Sequence, residues 1–145
     1  HRLFALEAFL GGVAPWPASE ETFELVPLLK PLGDIRSYRF ADWRNQAVTL
    51  SDARCASAVY SRADEAYLLL ANLDQAPREV TCVLHPDKLP HPLTQPATAR
   101  QLPAPAAASG SPDQPDATVL DVRQLVGPGV KITIPGDDAI LVHVR

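Results

Sequence analysis

The sequence predicts a mainly β protein: an antiparallel β-sandwich preceded by a short helical segment. Three observations predict it. From about residue 47 onward the apolar residues recur with a period of 2, the mark of strands, whereas residues 1–33 carry the 3.6-residue period of a helix. The strand-like runs are short, and turn-forming stretches punctuate them. The 145 residues make one domain with a real core, or one domain and a fragment of another, and fall well short of the roughly 250 residues of a (β/α)8 barrel.

In chain order, Leu3, Leu6 and Leu10 line one side of a first helix, with Phe9 beside them, and Gly11-Gly12 ends it. Pro15-Trp16-Pro17 is an extended connector. Ser19 suits a helix N-cap, with Glu20 and Glu21 in the first turn, where acids favour the helix dipole. Phe23, Val26, Leu29 and Leu32 form an apolar stripe that Pro27 kinks or restarts and that Pro31 and Gly33 end. Residues 1–40 are therefore read as a helical segment and residues 41–145 as the sandwich.

Within the sandwich, Arg54 to Ser61, Ala66 to Leu73 and Glu79 to His85 read as strands of a three-stranded meander. Arg62-Ala63-Asp64-Glu65 and Asp74-Gln75-Ala76-Pro77 are its turns. Val130 to Ile134 and Ala139 to Val144 are two further strands, joined by Pro135-Gly136-Asp137-Asp138, and Val119 to Leu125 is a candidate for another. Residues 86–117 hold eight of the fifteen prolines and an Ala-rich run, and are expected to form an extended surface loop.

Composition excludes some classes of function. With 13 Lys+Arg against 17 Asp+Glu the net charge is −4, which gives no electrostatic footprint for nucleic acid. No apolar run approaches the ~20 residues of a membrane-spanning helix. Leu3 to Leu10 contains Glu7 and follows only Arg2, so it does not read as a signal peptide. The chain opens at His1 and contains no methionine, which reads as a piece of a longer product.

No catalytic, metal or cofactor motif emerges. His85 and His91 flank a proline-stiffened loop at a spacing that matches no zinc motif, and are expected to face solvent. His143, between Val142 and Val144, is expected to point outward or make a satisfied hydrogen bond. Asp137-Asp138 is better explained by turn chemistry than by hydrolysis, which needs carboxylates on opposite sides of the bond. Asp34 and Asp42 flank an aromatic stretch, and Asp34 is expected to shape the turn after Gly33. Cys55 and Cys82 are expected to be free thiols, because strands one and three of a meander lie about 10 Å apart, beyond the ~7 Å Cα separation of a disulfide. Pairing Ser61 with Ala66 would set Cys55 opposite Asn72. Trp16 and Trp43 are the candidates for carbohydrate binding, since an exposed indole can stack on the apolar face of a sugar.

The order of features resembles a known family. Phe9-Leu10-Gly11-Gly12-Val13 leads through a Pro-rich connector to Leu28-Leu29-Lys30-Pro31-Leu32-Gly33-Asp34, and the aromatic stretch Tyr38 to Trp43 follows. Glu65-Ala66-Tyr67-Leu68-Leu69-Leu70-Ala71-Asn72-Leu73 then precedes Ala76-Pro77-Arg78-Glu79-Val80-Thr81. Leu120-Asp121-Val122, Val130 to Pro135 and Ala139 to Val144 close the chain. This arrangement resembles the C-terminal portion of a (β/α)8-barrel glycoside hydrolase of α-galactosidase-related type, meaning the last barrel helices and the C-terminal β-sandwich. The resemblance implies a noncatalytic domain, not an enzyme by itself, that packs on the catalytic barrel of the same protein and stabilises it. Carbohydrate would be a further partner. The family's catalytic carboxylates lie on barrel strands outside this chain, so no catalytic residue carries over. The apolar residues Leu3, Phe4, Phe9, Phe23 and Leu29 would face that barrel. The alternatives are an independent carbohydrate-binding β-sandwich module and an Ig-like structural or adhesion domain.

Overall fold

The computed structural model describes residues 10–11, 26–102 and 117–145. Nine strands are present among them: β1 (Arg39–Asp42), β2 (Val48–Leu50), β3 (Cys55–Arg62), β4 (Glu65–Asn72), β5 (Arg78–Leu84), β6 (Ala99–Gln101), β7 (Thr118–Leu120), β8 (Val130–Ile134) and β9 (Asp138–Val144). They form two antiparallel sheets, a larger one in the order β1-β3-β4-β9-β6-β7 and a smaller one in the order β2-β5-β8. The mainly β, sandwich-like architecture is the one expected.

The first hairpin has the expected register. Ser61 pairs with Ala66 and Cys55 with Asn72. The three-stranded meander does not form. After β4 the chain crosses to the other sheet, where β5 pairs with β2 and β8, and β9 takes the place beside β4. The physical reason is burial: every residue of β4 is buried, so it needs a strand on both sides and cover on both faces. β5 alternates between buried and more exposed positions, as suits a sheet with one face to solvent.

Alternation along the strands divides the apolar residues between two cores. Ala66, Leu68 and Leu70 of β4 join Ile140, Val142 and Val144 of β9 and Val80, Cys82, Leu84, Ile132 and Ile134 of the smaller sheet in the core between the sheets. Tyr67, Leu69, Ala71, Ala139 and Leu141 face the other way, where Leu10, Leu28, Leu32, Tyr38 and Leu102 cover them. The larger sheet is therefore the middle layer of three.

The covering segment Val26–Leu32 is a 3-10 helix with Pro31 inside it, and not the expected α-helix. A proline ring removes an N–H and clashes with the preceding turn, so Pro27 and Pro31 leave no room for α-helical pairing. Leu28 and Leu32 are buried, and Leu29, expected to face a barrel, is instead half-buried against the same cluster of this chain's own sheet. Gly33 ends the segment at φ 63°, and Asp34 caps the next turn by accepting the Arg36 N–H, as expected. Leu3, Phe4, Phe9, Phe23 and the Ser19 cap lie outside the described residues.

Two further expectations need correction. The Pro-rich stretch was expected to be a surface loop throughout 86–117, but Leu89, Leu93, Ala99 and Leu102 are buried and Ala99–Gln101 is strand β6. Leucine or alanine spaced between the prolines supplies the apolar anchors that a proline count overlooks; residues 103–116 lie outside the described residues. The candidate strand Val119 to Leu125 is two elements. β7 ends at Leu120, and Asp121 caps the single-turn helix α1 (Val122–Leu125) by accepting the N–H groups of Arg123 and Gln124.

No helix among the described residues is long and apolar enough to cross a membrane.

Candidate functional site

Trp43 follows β1 directly and lines a cleft. Asp42, the last residue of β1, caps the short turn Trp43–Asn45 by accepting the Arg44 N–H at 3.0 Å, and Gln46 closes it in the left-handed conformation at φ 57°. The tight turn throws the indole outward, 59% exposed. The Arg44 guanidinium, paired with Asp42, lies 6.0 Å from the ring centroid. Beside the indole is a cleft of about 520 Å³, whose walls include Leu10, Val48, Leu50, Cys55 and Leu73 and whose polar groups include Asp52 and Ser57.

Asp52 is tied into an ion-pair network at the rim. Its carboxylate accepts the Arg54 backbone N–H, Nε and Nη2, each at 3.0 Å. Arg54 reaches Asp74 at 3.6 Å, and Arg78 pairs with Asp74 and lies 3.9 Å from Asp52. The hydrogen bonds from Arg54 hold the Asp52 carboxyl down at about 2. Asp52 is therefore a permanent anion at neutral pH, an acceptor for a ligand hydroxyl and not a proton donor. The site offers a flat aromatic face, an apolar wall and an anionic acceptor, which is binding chemistry.

A second polar cluster lies on the outer face of the larger sheet. Glu65 and His143 are buried at 8% and 7% exposure. His143 Nε2 is 2.8 Å from Glu65 Oε2, the Tyr38 hydroxyl donates to Glu65 Oε1, and Arg62 Nη2 lies 2.5 Å from Oε1. The His143 ring stacks on Tyr67 at 4.5 Å between centroids, and Tyr38 meets Tyr67 edge-on at 5.7 Å. Burial by itself would raise the Glu65 carboxyl. The hydrogen bonds from Tyr38 and His143 and the Arg62 charge outweigh it and hold the group below its usual value. Burial and the bond to Glu65 push the Tyr38 hydroxyl up.

Of the residues singled out in the sequence, Trp43 lies at a cleft and Trp16 lies outside the described residues. His143 has the hydrogen bond that was one of its two expected fates. His85 and His91 are half-buried and not in open solvent: Thr49 Oγ1 is 3.0 Å from His85 Nε2, and the His91 N–H donates to Ser61 Oγ. Asp137 occupies a left-handed turn position at φ 49°, and Asp138 accepts the Ala139 N–H. Among the described residues no group of three or more His, Cys, Asp and Glu side chains could hold a metal ion. Glu65 was missed, having been read as a turn residue. The signal was available in the alternation, which puts Glu65 on the same face as Tyr67.

No family model, curated protein or solved structure matches this chain.

Proposed function

We propose that the chain is a noncatalytic β-sandwich domain of a glycoside hydrolase, packed on the catalytic barrel and stabilising it. The observation that carries this reading is the second core. The segment that resembles the closing barrel helices contributes Leu28 and Leu32 to an apolar layer on the outer face of the larger sheet, with Tyr38 and Leu10 beside them. A module that moves freely on a linker has no need of such a layer, whereas a sandwich that braces a barrel does. The experiment is calorimetry of the full-length polypeptide that contains this chain. One cooperative transition is expected, splitting into two when Leu28→Asp and Leu32→Asp are introduced together. Two independent transitions in the unaltered protein, or no barrel upstream of this chain, would overturn the reading.

The exposed indole of Trp43 favours a second reading, a sandwich that holds carbohydrate on its own. Affinity electrophoresis of the chain in gels containing neutral polysaccharides tests it. Retardation that disappears in Trp43→Ala supports this reading, and unaltered mobility in every gel counts against it.

A further inference from the structure

We propose that the cleft beside Trp43 is a binding site for a small neutral molecule that is mostly apolar and carries one hydrogen-bonding oxygen, the class of a phenol or aromatic alcohol. The fold opens the cleft where β1 leaves β3. Their pairing ends at Asp42 and Ala58, and the turn Trp43–Asn45 carries the chain away. Cys55 and Ser57 of β3 are left without a β1 partner, and both line the cleft. Val48, Leu50 and Leu73 give it apolar walls, and Trp43 adds an aromatic one.

Ser57 is the group that points to a ligand. The buried polar and charged side chains among the described residues are Ser57, Ser61, Glu65, Asn72 and His143. Four of them are engaged. Glu65 and His143 bond to each other, Ser61 Oγ accepts the His91 N–H, and the Asn72 amide donates to Ala76 O and Ile134 O. Ser57 is only 4% exposed, yet its hydroxyl makes no hydrogen bond among the described residues. Alternation sets it on the face of Cys55 and Val59, toward the core between the sheets, where the cleft is the opening available to it. A hydroxyl both donates and accepts, so it can pair with a phenolic, alcoholic or carbonyl oxygen.

Charge and size narrow the class. The ionic groups around the cleft already hold their counter-ions: Arg44 pairs with Asp42, Arg54 with Asp52 and Arg78 with Asp74. These three pairs leave no unmatched charge to hold an ionic ligand. The volume of about 520 Å³ lies within the ~300–1,000 Å³ of pockets that take small organic molecules. A sugar ring enclosed here would set several hydroxyls against leucine and valine with one serine to answer them, and each unpaired hydroxyl is penalised. An aromatic ring with a single oxygen meets the walls and the serine together.

The test is isothermal titration of the chain with para-cresol, with toluene as the match that lacks the oxygen, and with glucose. Saturable binding of one cresol per chain is expected, with toluene about three- to tenfold weaker for want of the hydrogen bond. Cresol should also slow the native reaction of Cys55 with Ellman's reagent, because Cys55 lines the same cleft. Ser57→Ala should bring cresol down to the toluene level and leave toluene unchanged. Trp43→Ala should weaken both. Trp43 is exposed, so its variant keeps the fold, which far-UV circular dichroism checks. No saturable binding of cresol, toluene or glucose bound as tightly as cresol, or cresol affinity unchanged in both variants would overturn the proposal. The carbohydrate reading is tested separately. Retardation in polysaccharide gels without cresol binding keeps that reading and removes this site, and cresol binding without retardation does the reverse.

Discussion

His143 Nε2 lies 2.8 Å from Glu65 Oε2 in the buried outer layer, although 78 residues separate the two in sequence. One strand pairing brings them together, because β9 lies antiparallel beside β4. Glu65→Gln keeps the shape and removes the charge that Tyr38, His143 and Arg62 share. A loss of about 2–3 kcal/mol is expected in urea unfolding. The pH dependence follows from the lowered carboxyl. Between its folded value and the unfolded value near ~4.3 the unfolded chain binds more protons, so stability rises with pH there. The Glu65 contribution is complete above the unfolded value and is lost as pH falls through the folded one. The stability gap between the natural protein and Glu65→Gln should therefore narrow as pH falls below ~4.3. A gap that stays constant down to acid unfolding would contradict the assignment.

The turn between β8 and β9 is pressed against the turn between β4 and β5. The Asp137 N–H donates to Asp74 O at 2.9 Å, and a Cβ on Gly136 would sit 1.8 Å from Gln75 O. That neighbour is backbone and cannot swing aside. Gly136→Ala should cost more than about 3 kcal/mol, at or beyond the usual range for overpacking. Gly33 has the positive φ but open space around it, so Gly33→Ala should cost only about 1–2 kcal/mol. Thermal melts of the two variants give the order, and a Gly33→Ala variant less stable than Gly136→Ala would mean that the two turns do not meet.

Most of the strands were legible in the sequence because alternation is a local signal. β8 ended where expected, and β3, β4, β5 and β9 did so within a residue or so. Sheet membership was not legible. Val80, Cys82 and Leu84 alternate in the same way whether β5 joins β4 or crosses to the opposite sheet. The fully apolar Leu68-Leu69-Leu70 run carried the missing information, since a strand with both faces buried is central and needs cover on each side. Trp43 was found at a cleft because a tryptophan beside a turn stands out. The Glu65 cluster was hidden because its members are spread over β3, β4, β9 and the chain before β1, and only pairing brings them together.

The thiol chemistry follows from the corrected topology. Cys55 lies on β3 and Cys82 on β5, in opposite sheets, and both are unbridged and buried. Burial pushes both thiols up, Cys82 to about 12, so neither is a ready nucleophile at neutral pH. Ellman's reagent under denaturing, non-reducing conditions should count two thiols. In the native state Cys55, which borders the Trp43 cleft, should react first, and Cys82 only on unfolding. Equal native reactivity of the two would mean that the sheets do not close over β5.

Neighbouring residues of β9 report on the two cores separately. Leu141 and Val142 are both fully buried, but Leu141 belongs to the outer core with Leu28 and Leu32, and Val142 to the core between the sheets. The 3-10 segment lies along β9 on the outer side, where the Tyr67 hydroxyl also donates to Pro31 O at 3.2 Å. Leu141→Ala should cost about 2–5 kcal/mol, as large-to-small changes in packed cores do, and Leu32→Ala should cost an amount in the same range if its segment is packed. The two costs should not add. Truncations that open onto one shared cavity couple by roughly 0.5–3 kcal/mol, whereas Leu32→Ala combined with Val142→Ala, across the sheet, should add within about 0.5 kcal/mol. The pair of double-mutant cycles, read by urea unfolding, separates a segment packed on the sheet from one that only follows it in sequence. If Leu32→Ala is neutral and uncoupled from Leu141→Ala, the outer core does not hold the segment. The reading that rests on that core, a sandwich braced against a barrel, falls with it.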